Sequence, residues 1–201
     1  MNSINVRIFT LCVSVMFLNC SFLQADLVIG DSDFVDADWN VAMVFQQSAS
    51  QQSQQIATGG NPDEFRQTTH TLNPDIAHER LIIAYHGFSS MAYDLSSQGA
   101  ITSIDYFVNQ IVINPPFAGA AITHRVALLQ NGVIFTTISS QLSFTNTTWA
   151  AASKTNLTES DFVDAVSLAQ FGGDGTHFNP DFSSTGAVIQ FGYISGNSSP
   201  A

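Results

Sequence analysis

Four aspartates fall within eight residues of one another: Asp31, Asp33, Asp36 and Asp38. Calcium takes roughly six to eight oxygen ligands, and carboxylates helped by loop carbonyls can supply them. The spacing departs from an EF-hand loop, because Val35 stands where the third ligand would be and no glycine follows it. What remains is a site joining this segment to a distant loop. Asp174 and Asp181, in a glycine-rich loop, make a second candidate. For both, a solvated acidic turn is the competing explanation. Structural calcium is the one cofactor that these residue types suggest.

Other groups that could do chemistry are sparser. His70, His78 and His86 are evenly spaced, but Asn73-Pro74 breaks the chain between the first two, and no His-Glu-x-x-His helix occurs. Single surface or capping histidines are expected. Leu81–Ser90, LIIAYHGFSS, resembles the strand and His-Gly turn of an α/β-hydrolase oxyanion loop. That chemistry also needs a Gly-x-Ser-x-Gly elbow, which the chain lacks, so a strand ending at a glycine turn is expected instead. Glycoside hydrolysis needs two carboxylates flanking one bond. Glu64, Glu79 and Glu159 are the only glutamates, and none lies in a paired strand pattern. Non-catalytic sugar recognition needs exposed rings beside amide and carboxylate groups. Tyr85, Tyr93, Trp149 and Phe178 stand at strand ends or in loops where they could serve.

The elements that must position these residues are strands. Ile122–Ile138 holds two apolar runs around Asn131-Gly132, the dipeptide best suited to positive φ at both centres of a type I′ turn. A two-residue turn fixes the register, so Leu128 faces Phe135 and Leu129 faces Ile134. Apolar side chains on both faces place this hairpin inside a sandwich. Trp39–Gln46 and Ile101–Val108 alternate with period two, and Phe65–Leu72, Leu81–His86 and Ala187–Ile194 read as further strands. Gln46–Gln55, with six glutamines, reads as a flexible loop or frayed edge. Thr158–Val166 is the one helix candidate, with Thr158 and Asp161 set as a capping box.

Met1–Arg7 with one basic charge, the apolar run Ile8–Leu18 and the tail ending at Ala25 have the layout of a cleaved secretory leader. The run is shorter than the roughly 20 residues of a spanning helix, so no stable membrane anchor is expected. The competing reading puts a lipid on Cys20, where Phe17-Leu18-Asn19 departs from the usual small residues. Both cysteines, Cys12 and Cys20, leave with the leader, so the mature chain has to hold by burial and strand pairing alone. It then carries four basic against sixteen acidic side chains, a formal net charge of −12. Such a surface repels nucleic acid and anionic headgroups, and is compatible with calcium or neutral ligands such as sugars.

Three stretches carry a resemblance: GGNPDEFRQTTHTL (Gly59–Leu72), SSQGAITSIDY (Ser96–Tyr106) and PDFSSTGAVIQFGY (Pro180–Tyr193). In them the chain resembles uncharacterised exported bacterial proteins and, more distantly, laminin IV and galactose-binding-like jelly-roll domains. Gly60-Asn61-Pro62 and Trp149 with Asp161-Phe162 stand at the matching turn and acid-Phe positions, with Asp63 and Glu64 replacing small residues. The resemblance implies a fold and transfers no ligand residue. The expectation is a leader over 1–25, a single all-β, jelly-roll-like antiparallel β-sandwich over 26–195 with at most one short helix, and a flexible tail over 196–201. The expected role is a secreted or envelope-associated, non-catalytic binding module for glycans or extracellular matrix material. The alternatives are a glycan-active enzyme on the same scaffold and a structural or adhesive envelope protein.

Overall fold

Asn131 and Gly132 both have positive φ, 51° and 77°, as a type I′ turn requires. The register follows: Leu128 pairs with Phe135, and Leu129 with Ile134. The computed structural model describes residues 2–5, 27–61, 63–73, 80–113, 121–138, 147–169 and 178–199. Its strands in chain order are β1 (Asn2–Asn5), β2 (Val28–Asp31), β3 (Trp39–Gln47), β4 (Ala49–Ile56), β5 (Phe65–Leu72), β6 (Arg80–Tyr93), β7 (Ile104–Gln110), β8 (Ala121–Gln130), β9 (Val133–Thr137), β10 (Ala150–Leu157), β11 (Phe162–Asp164) and β12 (Ile189–Ser199). The short helices α1 (Leu95–Gln98) and α2 (Ala165–Ala169) complete it.

The fold is an all-β sandwich built from antiparallel sheets. One layer is a six-stranded sheet, ordered β11-β9-β8-β12-β6-β3. Against its inner face pack a four-stranded sheet, β10-β7-β1-β2, and the separate hairpin β4-β5. Under the four-stranded sheet lies the main core, where Ile104 and Tyr106 of β7 meet Val126, Leu128, Phe135, Ile189 and Phe191. On the opposite face Tyr85, Ala127, Ile194 and Ala165 form a smaller cluster, and α2 packs there. β1 lies within the segment read as a leader, and it pairs on one side with β2 and on the other with β7.

Several elements differ from expectation, each for a physical reason. The capping box forms, Asp161 Oδ2 accepting from Thr158 N and from its hydroxyl at 2.8 and 2.9 Å. The helix it was expected to start is only a 3-10 turn, because Phe162 and Val163 are drawn into strand pairing with β9 as buried core. Helix follows only at α2. With α1, capped by the Asp94 carboxylate on Ser96 N, the described residues hold two short α-helices rather than at most one. The glutamine stretch pairs over eight residues with β5, from Ala49 to Ile56. Polar cross-strand contacts hold it, Ser53 with Thr68 and Gln54 with Gln67.

β6 does not stop at His86-Gly87 but runs on to Tyr93. Gly87 lies opposite Gly192, and the Tyr85 ring spans both, where any Cβ would collide with it. These glycines are there for close approach within a strand, not for a turn. β12 likewise continues past Ile194, the expected end of its strand, and Ser199 still pairs with Arg80.

Candidate functional site

The inner face of the six-stranded sheet changes character along its length. Alternation on β12 brings Phe191, Tyr193, Ser195 and Asn197 to that face; on β8 it brings His124, Val126 and Leu128, and on β6 His86. Tyr193 pairs directly with His86, and Ser195 with His124. The Tyr193 ring is therefore held between two imidazoles, stacked at 4.5 Å on His86 and 4.6 Å on His124, with interplanar angles of 9° and 11°. Ser195 Oγ lies 2.7 Å from His86 Nε2 and 3.0 Å from His70 Nε2, the latter reaching over from the hairpin. One hydroxyl carries one hydrogen, so Ser195 donates to one imidazole and accepts from the other. The Tyr106 hydroxyl bonds His124 Nε2.

Enclosure sets the charge state of this cluster. Burial lowers His70 to about 4 and His124 to about 3. His86 is held well below its ordinary value by burial first, then by the charges of Arg66, His70 and His124. All three imidazoles are therefore neutral at pH 7. Burial also raises Tyr106 and Tyr193.

The hairpin contributes Arg66, Thr68 and His70 from successive inward positions of β5. The Arg66 side chain is only 4% exposed. It forms an ion pair with Asp36 at 2.9 Å, lies 5.4 Å over the Trp39 ring, and joins Thr68 in hydrogen bonding to the Tyr193 hydroxyl. Asp36 also accepts from Gln55 N, so it fastens both strands of the hairpin.

Between the hairpin, the C-terminal end of β7 and the starts and ends of β8 and β12 lies a cleft of about 270 Å³. That is just under the range of about 300–1,000 Å³ typical of small-molecule sites. Trp149 stands at its edge, set against Phe65 with centroids 5.5 Å apart at 79°, its Nε1 donating to Gly59 O at 3.2 Å. Three polar atoms of its lining residues are buried without a hydrogen-bond partner: Arg66 Nε, Gln110 Oε1 and Asn197 Oδ1. No aspartate or glutamate is among the described residues that line it.

Of the four rings singled out in the sequence, this cleft takes Trp149 alone. Tyr85 and Tyr93 are buried core, the first within β6 and the second at its last position; their hydroxyls donate to Gln190 O and to Gln98 O and Gly99 O. Phe178 is 65% exposed and lines no part of the cleft. The expectation of isolated surface histidines fails for His70 and His86, which converge on one serine. His78 lies outside the described residues.

The N-terminal aspartates are engaged with protein donors. Asp31 is buried and accepts from Asp33 N, Phe34 N and Trp39 Nε1. Asp38 accepts from the Ser90 hydroxyl, and Asp33 is raised, chiefly by its hydrogen bond with Asp31. Asp181 accepts from Ser183 N, while Asp174 lies outside the described residues. Among the described residues, no group of three or more His, Cys, Asp or Glu is placed to hold a metal ion.

No family model, curated protein or solved structure matches the chain.

Proposed function

We propose that the chain is an exported, non-catalytic binding module whose ligand, glycan or other extracellular matrix material, sits in the cleft beneath the β4-β5 hairpin. The observation that supports it is the cleft itself: walls on paired strands, an aromatic edge at Trp149, and buried polar atoms that the protein leaves without partners. Sites carried on strands keep their geometry, and a ring beside hydrogen-bonding groups is the chemistry by which sugars are held. The test is binding of the purified protein to immobilised glycans and matrix extracts. Trp149→Ala should lose binding while the protein keeps its β-sheet circular dichroism spectrum and its cooperative unfolding. Retained binding in that variant would remove the cleft as the site.

A second reading, catalysis, rests on Ser195 Oγ lying between two imidazoles. Two features count against it. A base lowered to about 4 takes up a serine proton poorly at pH 7. Ser195 also lies within β12, paired on both sides with β6 and β8, so its neighbouring amides are committed to ladders rather than free for an oxyanion. Release of reducing sugar or of acyl groups from polysaccharides, abolished by Ser195→Ala, would favour the enzyme over the module.

A further inference from the structure

We infer that the cleft recognises an uncharged, hydroxyl-rich sugar unit and discriminates against acidic ones; this rests on the binding-module reading above. Arg66 Nε offers an unused hydrogen, while Gln110 Oε1 and Asn197 Oδ1 offer unused lone pairs, and all three are buried on residues that line one cleft. Buried groups of this kind carry an uncompensated desolvation cost until a ligand answers them. A hydroxyl both donates and accepts, so a ring bearing several can answer all three. A carboxylate only accepts, so wherever it replaces a hydroxyl it leaves the amide oxygen it faces without a donor.

Charge leads to the same conclusion. Arg66 is already neutralised by Asp36 at 2.9 Å and lies over Trp39, so the cleft has no need of an anion. The surrounding protein is strongly acidic, with a formal net charge of −11 over the whole chain, and repels one at a distance. The neutral imidazoles of His70 and His124 line the cleft without adding positive charge at pH 7. At the edge, the Trp149 ring offers an apolar face of the sort that packs on the C–H face of a pyranose.

The test is calorimetric titration of the full protein with two sets of probes. One set is neutral gluco-, xylo- and manno-oligosaccharides; the other is oligogalacturonate and alginate oligosaccharides. The neutral set should bind and the acidic set should not. Gln110→Met and Asn197→Leu remove the two acceptors with little change in volume. Each should weaken neutral-sugar binding about tenfold. Neither should lower the unfolding midpoint, because no partner within the protein is lost. Acidic oligosaccharides binding as tightly, in a Trp149-dependent manner, would overturn the inference and leave the module reading intact. Neutral binding that both variants retain, or a lowered midpoint in either, would overturn it as well. If neither set binds, the inference and the glycan reading fall together.

Discussion

The two ends of the six-stranded sheet's inner face make an instructive pair. Under the four-stranded sheet, β8, β9 and β12 present Val126, Leu128, Phe135, Ile189 and Phe191, a dry core closed by β7. Under the hairpin, β6, β8 and β12 present His86, His124, Tyr193, Ser195 and Asn197, met by Arg66, Thr68 and His70. Two of these strands run through both ends, so backbone pairing is common to them and the side chains alone differ. Apolar burial stabilises by roughly 25 cal/mol per Å², whereas buried polar groups return little beyond their desolvation cost. The first end therefore holds the molecule together. The second is stable only because its groups are neutral and mostly paired.

The contrast can be broken from either end. Phe191→Ala, in the dry core, should cost about 3–5 kcal/mol in urea unfolding. A loss below 1 kcal/mol would mean that the first end is not the principal core. The polar end should be exposed by acid. His70, His86 and His124 have folded values below the unfolded value near 6.5. Below that pH the unfolded chain binds the protons and the folded chain does not, so stability is full above pH 6.5 and falls as pH drops towards about 4 and then 3. For His70 alone the loss is of order 3 kcal/mol. Thermal unfolding between pH 7 and 4 should show the decline, and His70→Gln should reduce it, leaving the part due to His86 and His124. A flat wild-type profile would show that the imidazoles are not enclosed.

Smaller effects sharpen the picture. Ser195→Ala leaves two ring nitrogens without their shared hydroxyl and should cost about 1–3 kcal/mol. Gly132→Val, far from the polar end, places a β-branched residue at φ 77° and should cost about 1–2 kcal/mol without altering the acid profile. The smallest effect is expected from calcium. With Asp31, Asp36 and Asp38 already accepting from protein donors, millimolar calcium or chelator at fixed ionic strength should leave the midpoint in place. A calcium-dependent rise abolished by Asp33→Asn with Asp38→Asn would put an ion there.

What could be read in advance was local. Asn131-Gly132 fixes its hairpin through its own backbone preferences, and Thr158 with Asp161 caps within four residues. The polar end depends on strand partners distant in sequence, since β12 lies between β6 and β8, and His70 arrives on a hairpin outside that sheet. A trace was present nonetheless: Ile82-x-Ala84-x-His86 and Ile122-x-His124-x-Val126 each put a histidine in step with an inward apolar series. Equal spacing of His70, His78 and His86 along the chain gives no sign of His124, which reaches the same cluster from β8. Tyr85 falls inside a strand and not at its end, because Gly87 serves a close approach that its partner Gly192 explains, and not a turn.

β1 carries a consequence for the order of events in the cell. Its residues Asn2–Asn5 pair on both sides, with Val28–Asp31 and with Asp105–Val108. If Met1–Ala25 is the export leader, a precursor that folded before translocation would have built its own address label into a sheet, where the export machinery could not reach it. Folding and export then compete for the same residues. In that case the chain has to stay open until the leader has been recognised, and in the cleaved chain Val28–Asp31 and Asp105–Val108 fold without the strand between them.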